Sequence, residues 1–175
     1  MKSTLSSLLA LAMVALPAGV FASDAGKTKT PSPVEVTFDN PEAFTDFKET
    51  SSNFEKDREN LEHIFRTHLE KAAKPYLAEG QKLELRFTDI DLAGDFEPWR
   101  GVNFHDIRIL KDVYPPRMKF EFRLVGADGK VLAEGKRELS DMAYLMTISI
   151  RRDDPNRYDK ELLDRWLRSE FKKAS

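Results

Sequence analysis

Three stretches of the chain alternate apolar and polar residues at the two-residue period of a half-buried strand: Val34, Val36 and Phe38; Leu83, Leu85 and Phe87; and Met118, Phe120, Phe122 and Leu124. Ala127-Asp128-Gly129-Lys130 is a tight-turn signal that returns the chain into Val131 to Leu139 as a hairpin. Ile107 to Val113 predicts a further strand, set off from Met118 by Tyr114-Pro115-Pro116. Between the first two strands the period changes. Asn40 before Pro41 opens a short turn through Phe44 and Phe47. Ser52-Asn53-Phe54-Glu55 then forms a capping box that starts a long helix to about Tyr76. Leu61, Ile64, Phe65, Leu69, Ala72 and Tyr76 recur along it at three- and four-residue steps, and Pro75 and Gly80 end it. A strand, a helix and a strand make a right-handed crossover if the two strands are parallel neighbours. Ser140 caps a short helix carrying Met142, Leu145 and Met146. Asp154 before Pro155 caps a last helix whose apolar face is Tyr158, Leu162, Leu163, Trp166, Leu167 and Phe171, with Arg168, Lys172 and Lys173 at its C-terminal end.

Together these elements predict one α+β domain over residues 34–173. Its mixed or largely antiparallel sheet of about five strands carries the long helix and the C-terminal helices on one face. The residues expected between helices and sheet are Leu61, Ile64, Phe65, Leu69, Trp166 and members of the Met118 to Leu124 set.

The first 22 residues follow another logic. Lys2 precedes a run from Leu5 to Phe21 of almost wholly apolar residues, broken by two serines, Pro17 and Gly19, and ending in Val20-Phe21-Ala22. That is the three-part pattern of a secretory signal peptide cut after Ala22. A permanent anchor needs ~20 apolar residues, and Pro17 suits a cleavage region better. Ser23 to Pro33 is a small, polar, proline-containing leader that buries too little surface to offset its ordering entropy. The mature protein is thus expected in the periplasm, soluble, with no transmembrane segment once the signal is removed.

Charge and composition remove several function classes. With 28 basic and 30 acidic residues and no stripe of cations interleaved with aromatics, nucleic acid is not an expected partner. The chain has no cysteine, which excludes disulfides, thiolate metal sites and cysteine nucleophiles. There is no G-x-S-x-G elbow, S-x-x-K set, H-E-x-x-H or glycine-rich phosphate loop, so neither a nucleophilic enzyme nor a cofactor is implied.

Four segments, FTDIDLAGDFEPWRG (Phe87 to Gly101), RILKDVYPPR (Arg108 to Arg117), DGKVLAEG (Asp128 to Gly135) and RRDDPNRYDKELLDRWL (Arg151 to Leu167), occur in that order and spacing. In them the chain resembles the bacterial family called domain of unknown function 3016, over about Val34 to Phe171. The resemblance implies an exported bacterial protein and carries over no catalytic residue.

Phe96-Glu97-Pro98-Trp99-Arg100-Gly101 is the leading candidate site. An indole supplies rigid apolar area and a guanidinium a planar fork of donors, the combination that binding hot spots use. Two readings are open at Trp99. Either it plugs the open end of the sheet, with Arg100 paired to Asp89 or Asp91, or it stands out as the contact residue for an envelope protein or a small ligand. Nearby, Asp89, Asp91, Asp95 and Glu97, with His105 and Asp106 beyond, raise the alternative of metal-assisted hydrolysis with Asp89, Asp91 and His105 as ligands or base. The spacing matches no calcium loop: counted from Asp89, glycine falls at the sixth position, but Ala93 holds the fifth and Arg100 the twelfth. Carboxylates that cap turns or pair with Arg100 and Arg108 explain the same cluster without a metal. His68 lies on the apolar helix face, as a hydrogen-bonded core histidine does, and His63 on the other, so a three-histidine zinc site is discounted.

Overall fold

The computed structural model of the protein describes residues 32–46, 54–101, 107–147 and 153–172. Within them the chain forms β1 (Val34–Phe38), α1 (Phe54–Ala72), β2 (Lys82–Asp91), β3 (Asp95–Phe96), β4 (Arg108–Ile109), β5 (Arg117–Val125), β6 (Val131–Ser140) and α2 (Arg157–Glu170). The proposed signal at 1–22, most of the leader, Phe47, the capping-box residues Ser52 and Asn53, His105 with Asp106, and Lys173 lie outside the described residues.

The alternating stretches pair as one sheet in the order β1-β2-β5-β6, with β1 parallel to β2 and the other neighbours antiparallel. Alternation sends Val34, Val36, Leu83, Leu85, Phe87, Met118, Phe120 and Phe122 to one face, where they are buried against Phe65 and Leu69 of α1 and Leu162, Leu163, Trp166 and Leu167 of α2. Leu61 packs at the margin of this core, and Ile64 is only partly covered. Trp166 sits at the centre of the aromatic packing, 4.7 Å from the Phe120 ring and 5.6 Å from Phe122. His68 bonds Asp164 of α2 through Nε2 at 2.7 Å, which ties the helices together.

The other face is an array of charges. Arg86 bridges Glu121, and Lys136 bridges Glu121 from the other side; Arg123 reaches both Glu84 and Glu134. The hydrogen bonds from Lys136 and then Arg86 hold the Glu121 carboxyl well down, at about 2. Thr37, Arg86, Glu121 and Lys136 line a shallow concavity of about 730 Å³ on this face.

Several departures from the sequence expectation have local causes. The main sheet has four strands rather than about five, because of Ile107 to Val113 only Arg108 and Ile109 pair, and they pair with β3 in a separate ribbon. The chain then turns at Lys111 to Tyr114, where the Tyr114 N–H reaches the Lys111 carbonyl at 3.0 Å, and Pro115 and Pro116 lead it into β5. Helix α1 ends at Ala72, since Pro75 lacks the N–H an α-turn needs, and a 3₁₀ turn over Lys74–Tyr76 takes the chain onward. After Ser140 there is only a 3₁₀ turn, Tyr144–Met146; it buries Tyr144 and leaves Met142, Leu145 and Met146 exposed. The carboxylate at its start is Asp141, which accepts from the Ala143 N–H at 3.1 Å. Asp154 is not the cap of α2: the N-cap position is Asn156, which makes no side-chain cap bond, and Asp154 instead closes the turn before the helix by accepting from the Asn156 N–H at 2.9 Å.

Candidate functional site

The site region begins where β2 loses its simple period. The register shifts between Phe87 and Asp89, so Ile90 takes the buried side while Asp89 and Asp91 stay partly exposed. Gly94 then turns the chain sharply: its φ is 84°, and a β-carbon there would lie 2.8 Å from the Ile109 carbonyl oxygen. The turn delivers the ribbon of β3 and β4, with Pro98–Arg100 as a 3₁₀ turn beyond β3.

Glu97 organises this ribbon. Its side chain is 1% exposed, though it sits in a connecting segment. Lys111 Nζ donates to Oε1 at 2.5 Å and Tyr114 Oη to the same oxygen at 3.0 Å, while Arg100 Nε lies 2.6 Å from Oε2. The Lys111 hydrogen bond, helped by Tyr114 and opposed by desolvation, holds the Glu97 carboxyl below its ordinary range. The hydrogen bond to Glu97, followed by burial, in turn raises the Tyr114 phenol.

Two residues along, Trp99 is 71% exposed. It does not plug the sheet, and Arg100 pairs with Glu97 rather than with Asp89 or Asp91. Phe96 is half covered by the Arg108 guanidinium, 4.7 Å from its ring centre. Arg108 also bonds the Gly94 carbonyl at 2.6 Å and Asp46 at 3.1 Å, fixing the base of the ribbon.

Further exposed apolar side chains lie close along the chain: Ile107 and Val113 flank the β4 limb, and Met142, Leu145 and Met146 follow β6. The two segments are joined through Lys111, whose carbonyl accepts from Tyr144 Oη at 2.7 Å while its ammonium serves Glu97. The phenol of Tyr144 is thereby buried and the methionines beside it are turned out.

The acidic residues are engaged singly. Asp89 accepts from the Thr45 N–H at 2.9 Å, and Asp91 from Arg117 at 3.1 Å. Burial, followed by the neighbouring Asp46, raises the Asp91 carboxyl. Asp95 accepts from the Phe96 N–H. Among the described residues, no group of three or more histidine and carboxylate side chains is arranged to hold a metal ion. His105, the third member of the metal alternative, lies outside them.

A carboxylate that the sequence reading passed over lies beneath this loop. Asp159, in the first turn of α2, is 1% exposed and accepts from the Ala93 N–H at 2.9 Å. Burial outweighs that bond and the nearby Arg108, and pushes its carboxyl up to about 7. An acid in a first helical turn reads as a dipole partner in sequence. Nothing local marks it as buried, just as nothing local marks Lys111 and Tyr114 as the clamp on Glu97.

No helix among the described residues is long and apolar enough to cross a membrane. No curated protein and no solved structure matches the chain. A family model does match, that of the protein of unknown function DUF3016, over residues 32–169. This is nearly the whole domain, and the chain belongs to that family.

Proposed function

We propose that the protein is a non-catalytic binding module of the cell envelope, exported by a cleaved signal over residues 1–22, which engages a protein or small ligand through Phe96 to Gly101. The observation that carries this reading is a 71% exposed Trp99 two residues from a 1% exposed Glu97. Folding gains little from an indole in water, whereas a partner gains rigid apolar area. The clamp on Glu97 fixes the turn beforehand, so less ordering entropy opposes association. The lack of nucleophile motifs favours binding over catalysis.

The test is recovery of partners from envelope extract by the wild type and by Trp99→Ala. Arg100 is left in place, because its loss would also remove the guanidinium 2.6 Å from Glu97 Oε2. Selective loss of a partner from the variant supports the reading. Equal recovery of every partner by a folded variant would overturn it, and so would fractionation of the protein with the cytoplasm.

A further inference from the structure

Among the described residues the sheet ends in β1 on one side and β6 on the other, and the two edges are built differently. β1 has five residues, while β6 has ten, and none of the ten is buried. A long unpaired edge offers a row of N–H and C=O groups to another strand, and proteins normally blunt it with short length, proline, bulges or inward charge. β6 contains no proline, its irregularity lies near its start, where Leu132 is the extra residue, and its pairing with β5 is regular from Ala133 to Ser140. Its inward charge is Arg137, and that guanidinium is drawn back over the Phe122 ring at 4.8 Å and held by Glu170 at 2.7 and 2.8 Å. The inward guard is turned away from the edge, which leaves the outward charges Glu134, Lys136 and Glu138 to decide what can pair there.

The charges on the open face say what fits there. Along one cross-strand row the signs run Arg86, Glu121, Lys136, and along the next Glu84, Arg123, Glu134. One row therefore reaches the edge with a cation and its neighbour with an anion. We infer that β6 pairs antiparallel with β6 of a second copy about a dyad at Gly135, joining the sheets so that Glu134 of each copy faces Lys136 of the other. This register continues the alternation of sign across the junction, with each row of one copy running into the other row of its mate. Registers centred on Glu134, Lys136 or Arg137 instead place a charged residue opposite itself, which is destabilising. A shift by a single residue would send the helix-covered face of one copy to the open face of the other. At Gly135 the backbones meet without side chains between them.

Sedimentation equilibrium or light scattering on the purified protein tests this, with circular dichroism to confirm folding. The wild type is expected to be a dimer. Lys136→Glu and Glu134→Lys should each weaken dimerisation about tenfold or more, because the dyad repeats the like-charge contact. The double variant E134K/K136E should dimerise better than either single change, since the complementary pair returns with its signs exchanged, although each copy gives up its own pairings of Lys136 with Glu121 and of Glu134 with Arg123. A monomeric wild type would overturn the proposal, as would a dimer indifferent to the single changes or a double variant no better than the singles. Dimerisation restored by E138K/K136E but not by E134K/K136E would also overturn it, because it would move the dyad to Arg137.

Discussion

Trp166 is 4% exposed, packs edge-on against Phe120 and Phe122, and donates its indole N–H to Glu170 at 3.2 Å. Trp99 is 71% exposed on a 3₁₀ turn. Around Trp166 the ordinary rule holds, with apolar groups inside and carboxylates at the margin. At the ribbon it is inverted: Glu97 is inside and Trp99 outside. Burying a carboxylate is unfavourable unless it is paired and hydrogen-bonded, and here Lys111, Tyr114 and Arg100 all serve one such group. This local failure of the rule, amid otherwise consistent packing, is the observation on which the proposed binding role rests.

The widest separation between the regions should appear on truncation. Trp166→Ala removes the ring that Phe120 and Phe122 pack against and should cost ~3 to 5 kcal/mol in urea unfolding. A loss below about 1 kcal/mol would mean that α2 is not a structural partner of the sheet.

Asp159 gives a smaller and pH-dependent difference, because it is a buried carboxylate that Lys and Arg do not clamp as they do Glu97. Its folded value near 7 stands above the ordinary 3.8, so between those values the native state holds a proton that the unfolded chain has lost. Stability from this group therefore falls as pH rises through that window, by up to ~1.4 kcal/mol per pH unit, and levels off above about 7. Asp159→Asn keeps an oxygen for the Ala93 N–H and cannot ionise. It should flatten the slope and leave the variant more stable than wild type at pH 8, as read by melts at pH 5 and pH 8. Identical slopes would show that Asp159 does not titrate there.

The opposite sign is expected at Glu97. Its carboxyl is held below the ordinary range by Lys111 and Tyr114, so its contribution is present above the ordinary carboxylate pKa and is lost as pH falls through the lowered folded value. Glu97→Gln retains the shape without the charge. Amide exchange over residues 95–101 should accelerate while the β2, β5 and β6 amides keep their protection. Acceleration spread evenly over the sheet would instead make Glu97 part of the global fold.

The helix-covered sheet was legible in the sequence because its signal is periodic. Val34 to Phe38, Leu83 to Phe87 and Met118 to Leu124 each alternate, and each is a strand with those residues inside. The phase change of β2 at Thr88 is written in the apolar positions, which move from Leu83, Leu85 and Phe87 to Ile90 and Leu92, but two polar residues in a row do not say whether a strand bulges there or ends. Ile107 to Val113 is apolar enough to suggest a strand, yet Ile107 and Val113 face solvent. The ribbon was legible as composition and not as geometry. Pro98-Trp99-Arg100 reads the same whether the indole is tucked in or turned out. The choice is made by Lys111 and Tyr114, 14 and 17 residues beyond Glu97, through contacts that no local pattern encodes.

The smallest expected effect is the one that separates the regions most directly. Trp99→Ala removes a side chain already largely hydrated, so it should change unfolding free energy by less than ~0.5 kcal/mol. The two tryptophans also allow the regions to be read apart by fluorescence. Acrylamide should quench Trp99 readily and Trp166 hardly at all, so the wild type should show a curved quenching plot, and Trp99→Ala should leave only the protected component. A loss of stability above about 2 kcal/mol would place Trp99 in the core, and a variant that keeps the accessible component would put Trp166 in solvent; either result would undo the contrast between the ribbon and the sheet.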